Sequence, residues 1–205
     1  NISGMDSTTH VIGSGTSTET TLYYVTDTLF KNLTSVDGAT ITFDALLFQN
    51  TFKVVYDYDG GALSSGSSNA TAMLYDATYN LVSPGKTGYI FSGWLITGMS
   101  TNDTHYFYLS EATTADYSSS NASYTFSTAY AKNKVKNLHN EEGATVTIKA
   151  LWTPITYLIS VDLAGGSLSS SAPTKATYDV AFTIPNPTQV GYTFTGWSIS
   201  GMDSS

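Results

Sequence analysis

The segment Gly88-Tyr-Ile-Phe-Ser-Gly-Trp94 returns as Gly191-Tyr-Thr-Phe-Thr-Gly-Trp197. A stretch that recurs with its glycines and aromatics in place obliges the chain to fold as copies of one unit. The flanks repeat as well. Residues 137–152 echo residues 32–47, and residues 54–65 echo residues 159–170. Ile2-Ser-Gly-Met-Asp6 recurs at Ile199-Ser-Gly-Met-Asp203 and, between them, as Ile96-Thr-Gly-Met-Ser100. The chain is therefore about two units long. Gly4 to Gly38 covers less chain than the matching Gly98 to Gly143, and the difference falls in residues 106–124, which hold the polar run 110–123. An insertion there is tolerated as a surface loop. Duplication of a structural unit points to a structural or adhesive role before it points to an active site.

Composition narrows the partners. A chain of 205 residues allows one large domain or two small ones. Its 15 tyrosines and 9 phenylalanines favour β-structure, since aromatic side chains fit a half-buried pleated surface. Abundant Ser and Thr with few charges resemble an extracellular surface. The basic residues are all lysines in a chain of net charge −8, which argues against nucleic acid and against anionic membranes. Lys132, Lys134 and Lys136 form the only local basic cluster. The absence of cysteine removes disulfides, thiolate metal sites and cysteine nucleophiles. No apolar run reaches the length of a membrane helix, so no membrane insertion is expected. No signal peptide is visible, and a start at Asn1 fits a processed or excised fragment.

Strand signals dominate. Val146, Ile148, Ala150 and Trp152 alternate with more polar neighbours, as do Ile41, Phe43, Ala45 and Leu47 in the earlier copy. Phe52, Val54, Tyr56 and Tyr58 form a third alternating set, and Tyr157, Ile159, Val161 and Leu163 a fourth. Asp59-Gly-Gly61 and Ala164-Gly-Gly166 are expected to be hairpin turns. Pro84, Pro185 and Pro187 mark the approach to the Gly-Tyr-x-Phe-x-Gly-Trp strand and argue against a central position there. Residues 124–137 and their counterpart 22–33 are the best helix candidates, with Ser123 or Ser127 as cap for the former. Gly13-Ser14-Gly15 reads as a flexible connector.

Taken in order, the motif runs from an Asp-x-x-Gly-Gly turn through a Tyr-Asp segment and a proline to Gly-Tyr-x-Phe-x-Gly-Trp, then a Thr-Val strand that ends in Ala-x-Trp. It is carried by Asp57, Gly60, Gly61, Tyr75, Pro84, Gly88, Tyr89, Phe91, Gly93, Trp94, Ala150 and Trp152. In the last copy it is carried by Asp162, Gly165, Gly166, Tyr178, Pro187, Gly191, Tyr192, Phe194, Gly196 and Trp197. This pattern resembles the Listeria–Bacteroides repeat, or internalin B-repeat, family. Leu47 departs from it at the final tryptophan position. The resemblance implies a mostly-β fold, with a small α+β arrangement as the variant, built of tandem β-grasp-like modules in secreted or cell-wall-attached bacterial proteins. In the family frame residues 51–153 are a complete unit, residues 1–50 the C-terminal part of a preceding unit, and residues 154–205 the N-terminal part of a following one.

Candidate sites are few. Trp94 and Trp197 are expected as core plugs rather than ligand platforms. Asp57 and Asp59 supply only two local carboxylates, too few for calcium. His10, His105 and His139 sit in unlike contexts, so no metal and no cofactor is expected. Asn1, Asn32, Asn69, Asn102 and Asn121 each open an Asn-x-Ser/Thr glycosylation signal. Lys53 and Lys149 fall on the polar phase of their strands, which argues against buried isopeptide chemistry. No acid–base constellation stands out, so no enzyme is expected. The sequence thus points to a stalk, spacer or adhesin on the cell surface or in the cell wall, with neighbouring repeats or copies of itself as partners. One alternative is a filament subunit in which the half-units 1–50 and 154–205 complete each other through the strand at residues 40–48. Another is a module that binds host or cell-surface glycans or proteins.

Overall fold

The computed structural model describes residues 1–108, 114–127 and 133–202. The chain divides into two compact units, Asn1–Gln49 and Asn50–Ser205.

The second unit is organised by a mixed five-stranded sheet of order β13-β10-β15-β7-β8. Its members are β7 (Thr51–Asp57), β8 (Ala72–Leu74), β10 (Tyr89–Thr97), β13 (Ser123–Ser127) and β15 (Thr145–Pro154). Strict alternation makes β7 and β15 strands. Phe52 and Val54 point inward from β7, and Val146, Ile148 and Ala150 from β15. These two strands pair in parallel, Val54 beside Val146 and Tyr56 beside Ile148. The other pairings in this sheet are antiparallel.

A β-bulge sits at the heart of the repeated heptapeptide. The register of β10 against β15 shifts between Phe91 and Gly93, where Gly93 adopts φ +139°. In a regular strand, residues three apart face opposite sides of the sheet. The extra residue resets the phase, so Phe91 and Trp94 face the same side, their rings 4.9 Å apart edge to face. Phe91 lies opposite Trp152, and Trp94 opposite the small Ala150, which leaves room for the indole. Trp94 is 0% exposed, and Tyr56 and Tyr58 complete its walls at 6.2 Å each.

A second sheet of order β12-β11-β14-β9 joins β9 (Thr78–Leu81), β11 (His105–Tyr108), β12 (Tyr117–Ser119) and β14 (Asn133–Lys136). Its inward residues Leu81, Phe107 and Val135 share one apolar cluster with Phe52, Trp94, Ile96, Ile148 and Leu138. The fold is mostly β. The helix expected over residues 124–137 is not formed in its described part, because Ser123–Ser127 and Asn133–Lys136 are strands; residues 128–132 lie outside the described residues. The aromatic and β-branched residues 124–126 find a ladder partner in β10, and Tyr124 stacks on Phe107 at 4.2 Å. The counterpart 22–33 likewise holds β4 (Thr21–Leu22) and β5 (Phe30–Lys31).

Three further expectations are corrected. Tyr58–Gly61 is a tight turn closed by Gly61 N–H donating to Tyr58 O at 2.9 Å, but it does not close a hairpin. The chain continues from it to a bridge between Ala62 and Gly85, and β7 takes its antiparallel partner only at Ala72–Leu74. Strand β10 is interior, flanked by β13 and β15, because Pro84 lies ahead of the strand and leaves its ladder donors intact. Gly13-Ser14 is not a loose connector. It closes a two-residue hairpin between β2 (His10–Ile12) and β3 (Gly15–Ser17), with Gly13 at φ +59°.

The first unit has two small sheets, β4-β1-β6 and β3-β2-β5, with β1 at Ile2–Ser3 and β6 at Thr42–Phe43. Its registers copy the second unit. Ile2 lies between Leu22 and Phe43 as Ile96 lies between Tyr124 and Ile148. The strand expected at residues 40–48 is short, and its described ladder is with Ile2–Ser3 rather than with residues 154–205, since Ile2 stands where Ile96 stands in the larger unit.

Residues 154–202 repeat the opening of the module. Here β16 (Thr156–Leu158) pairs with β17 (Lys175–Thr177) as β7 pairs with β8, and Ser167 bridges Thr188 as Ala62 bridges Gly85. Gly196 keeps φ +143°, and Phe194 and Trp197 keep a ring separation of 5.2 Å. Trp197 is only half-buried, because among the described residues no strand lies against it as β15 lies against Trp94.

Trp94→Ala is expected to destabilise the second unit by about 3–5 kcal/mol, the usual cost of emptying a buried tryptophan site. Trp197→Ala should cost less than half as much. Chemical denaturation followed by circular dichroism checks both, and equal costs for the two variants would overturn the assignment of Trp94 as the core anchor.

Candidate functional site

The most specific geometry beyond the core lies where β15 meets the segment that follows it. Strand β15 ends at Pro154, and the next residue, Ile155, donates its N–H to Gly88 O at 3.0 Å. Ile155 O then accepts from Tyr178 N–H at 2.9 Å, which fixes the corner after β17 beside the Gly88-Tyr89 corner. The Tyr178 ring lies on Gly88, where an added Cβ would fall 2.3 Å from the ring carbons, and Gly88 itself adopts φ +79°. Glycine is thus required twice over, for its backbone conformation and for the ring above it. Tyr89 and Tyr178 meet edge to face at 5.6 Å, and the Tyr89 hydroxyl donates to Asp179 Oδ2 at 2.7 Å. That carboxylate holds the Tyr89 hydroxyl above the ordinary phenol range.

The double-glycine turn supports this joint from below. Asp59 and Gly60 take φ of +50° and +82°. Gly61 lies under Trp152, whose Nε1 donates to Tyr58 O at 3.0 Å. Lys86 Nζ donates to Asp59 O at 2.8 Å and sits 4.3 Å over the Tyr89 ring, a cation–π contact. Lys149 pairs with Asp57 and Asp59 at 3.3 Å each, so its ammonium bridges the two carboxylates of the turn. The Asp59 backbone N–H and then Lys149 hold Asp57 below the usual carboxylate range. In the last copy Ala164 takes φ +48° and Gly165 φ +88°, Gly166 N–H donates to Leu163 O at 2.9 Å and Ala164 N–H to Asp162 Oδ1 at 2.9 Å, so the turn survives with alanine in place of Asp59.

The histidines correct the sequence reading. His10 and His105 do recur. Both are buried, and each points Nδ1 at the carbonyl of a left-handed asparagine, Asn32 (φ +59°) or Asn137 (φ +57°). Thr-His and Lys-Asn-Leu are the shared signals, masked by an extra residue between Met99 and His105. His105 Nε2 also meets Ser100 O at 2.8 Å. His139 is half-buried and accepts from the Glu141 N–H at 3.1 Å. Among the described residues no three His, Asp or Glu side chains converge as a metal site.

The candidate glycosylation residues differ in freedom. Asn32, Asn102 and Asn121 are exposed. Asn69 is half-buried and clamps Val82 through both ends of its amide, at 2.6 and 3.1 Å, and the Asn1 amide donates to Asp44 at 3.2 Å.

Gly88→Ala should dislodge Tyr178, whereas Gly191→Ala, with the same left-handed backbone but nothing within 4 Å of the new carbon, should carry only the backbone cost. Amide hydrogen exchange at Ile155 and Tyr178 should accelerate in the first variant and not in the second. Equal protection in both would show that the ring contact contributes nothing. Acid should weaken the second unit. Asp57 and Asp76, the latter held low by Lys136 and Asn137, have depressed folded-state pKa values. Their contribution is present above the unfolded value of 3.8 and is lost as pH falls through the folded values. Melting temperature should fall below about pH 4, and less steeply in Asp76→Asn.

The family model of the Listeria-Bacteroides repeat domain matches residues 52–139 and 157–202, more than half of the chain. Comparison with curated proteins and with solved structures returned no match. The two matched stretches begin within β7 and within β16 and each carry the Gly-Gly turn and the Gly-Tyr-x-Phe-x-Gly-Trp sequence, and the chain belongs to the Listeria-Bacteroides repeat family.

Proposed function

We propose that this chain is a load-carrying or adhesive segment of an extracellular surface protein, a stalk or spacer on the cell surface or in the cell wall. The observation that supports it most is the joint itself. Gly88 and Tyr89 are committed to Ile155, Tyr178 and Asp179 of the following segment. A module whose most constrained surface residues serve its neighbour is built for tandem connection. The corner is prepared again upstream. Asp76 takes φ +62° as Asp179 takes +60°, and Tyr75 N–H donates to Asn50 O at 2.8 Å as Tyr178 N–H donates to Ile155 O. The role is non-catalytic, and the partners are neighbouring repeats or surface ligands. Low charge, abundant hydroxyl side chains and the absence of cysteine suit the outside of a cell.

An antibody raised against the chain should label intact source cells, and external protease should remove the label. Labelling that requires permeabilised cells would overturn the surface assignment.

A further inference from the structure

We propose that the outward face of the sheet β12-β11-β14-β9 is a binding site for a neutral oligosaccharide. Along β11, His105 and Phe107 point into the core, so Tyr106 between them points outward. It lies opposite Ser118 on β12 and Lys136 on β14. Tyr75 and Tyr117 stand with it around a cleft of about 690 Å³, and Tyr117 is 51% exposed. That volume lies within the usual range of small-ligand clefts.

The cleft is not something the scaffold needs. In the first unit the same hairpin is closed by Gly13-Ser14, whereas the second unit places residues 108–116 between Phe107 and Tyr117. Val11 stands at the register position of Tyr106, beside Lys31 as Tyr106 is beside Lys136, and Gly15 stands at that of Tyr117. Both forms keep the buried histidine and the strand order. Asp116 and Tyr117, which follow the insertion in sequence, line the cleft and have no equivalent in the two-residue turn of the first unit.

The chemistry selects the ligand. Asp76, Asp103 and Asp116 line the cleft with acceptor oxygens. Its ammonium, Lys136, is paired with Asp76 at 3.1 Å. Asp103 accepts from the Thr104 N–H at 2.7 Å and faces the Tyr75 hydroxyl, pushing its ionisation up to about 12. The surplus of carboxylates repels phosphate, sulfate and uronate groups. A cationic peptide would meet Lys136 beside the central ring. Sugar hydroxyls both donate and accept, so they satisfy carboxylates and the Ser118 hydroxyl together, while the apolar face of a pyranose covers a tyrosine ring.

The test titrates the 205-residue chain with cellopentaose, xylopentaose, mannopentaose and chitopentaose, and in parallel with a heparin pentasaccharide and a lysine-rich peptide, by calorimetry. Saturable binding to at least one neutral pentasaccharide is expected. Tyr106→Ala and Tyr117→Ala should weaken it by about tenfold each, the scale of one lost ring contact, with Tyr117→Phe retaining it. Melting curves of the variants should match the parent, since both rings lie outside the core. Absence of saturable binding to all four neutral probes, unchanged affinity in both alanine variants, or tighter binding of heparin or the peptide would each overturn the proposal. None of these results bears on surface labelling, so the stalk reading stands or falls separately.

Discussion

One extra backbone residue at Ser92–Gly93 decides how this module is assembled. A strand of simple alternation could offer the core either Phe91 or Trp94, not both. The bulge supplies both, and the pair then dictates its surroundings. Trp94 needs a small residue opposite and finds Ala150, while Phe91 meets Trp152, whose indole reaches back to the Tyr58 carbonyl and closes the double-glycine turn. The spacing Phe-x-Gly-Trp on one strand and Ala-x-Trp on the other is therefore one constraint read from two sides: three residues on the bulged strand oppose two on its partner. Gly196 takes φ +143°, close to the +139° of Gly93, although no strand opposes it among the described residues.

The same strand faces are buried in one copy and exposed in another. Phe52 is 1% exposed in the complete module, whereas Tyr157, at the same ladder position against β17, is 44% exposed. Leu47, the counterpart of Trp152, is 90% exposed in the first unit. The apolar alternation of these strands is unchanged, and what differs is whether a second segment lies against them. In a repeat-built chain, stability then depends on contacts between neighbouring segments as much as on any one core. The Gly88–Tyr178 contact is the described instance of such a boundary.

Much of this was legible in the sequence, and the failures have physical causes. Period-two alternation located β7 and β15, the strands with one face buried and one in water. It missed the strands at Ser123–Ser127 and Asn133–Lys136 because Tyr, Thr, Phe and Lys interleave there without strict alternation, and the ladder to β10 and the stacking of Tyr124 on Phe107 decide the conformation of the first. The Gly-Gly turns were found, but their hairpin was not formed, because the Ser-rich stretch after Leu63 carries the chain away before it returns at Ala72. Prolines at 84 and 187 suggested a peripheral strand. Proline removes a donor only at its own position, and β10 starts five residues later. The paired histidines were invisible because one inserted residue upset the alignment, although their acceptors, the carbonyls of Asn32 and Asn137, lie in the matching Lys-Asn-Leu.

That single residue also changes the hydrogen bonds around the histidine between the two units. His105 has both ring nitrogens against carbonyl oxygens, of Asn137 at 2.5 Å and Ser100 at 2.8 Å. In the first unit the loop from Met5 to His10 is shorter, and the buried His10 Nε2 has no protein partner. There Asp6 replaces Ser100 and gathers the N–H groups of Thr8 and Ser35 at 2.9 and 2.6 Å. One copy closes its loop through a buried imidazole and the other through an exposed carboxylate. Those hydrogen bonds hold Asp6 far below the usual carboxylate range. The exposed closure is therefore the one that acid can undo, since a depressed carboxylate gives up its stabilisation as pH falls through its folded value.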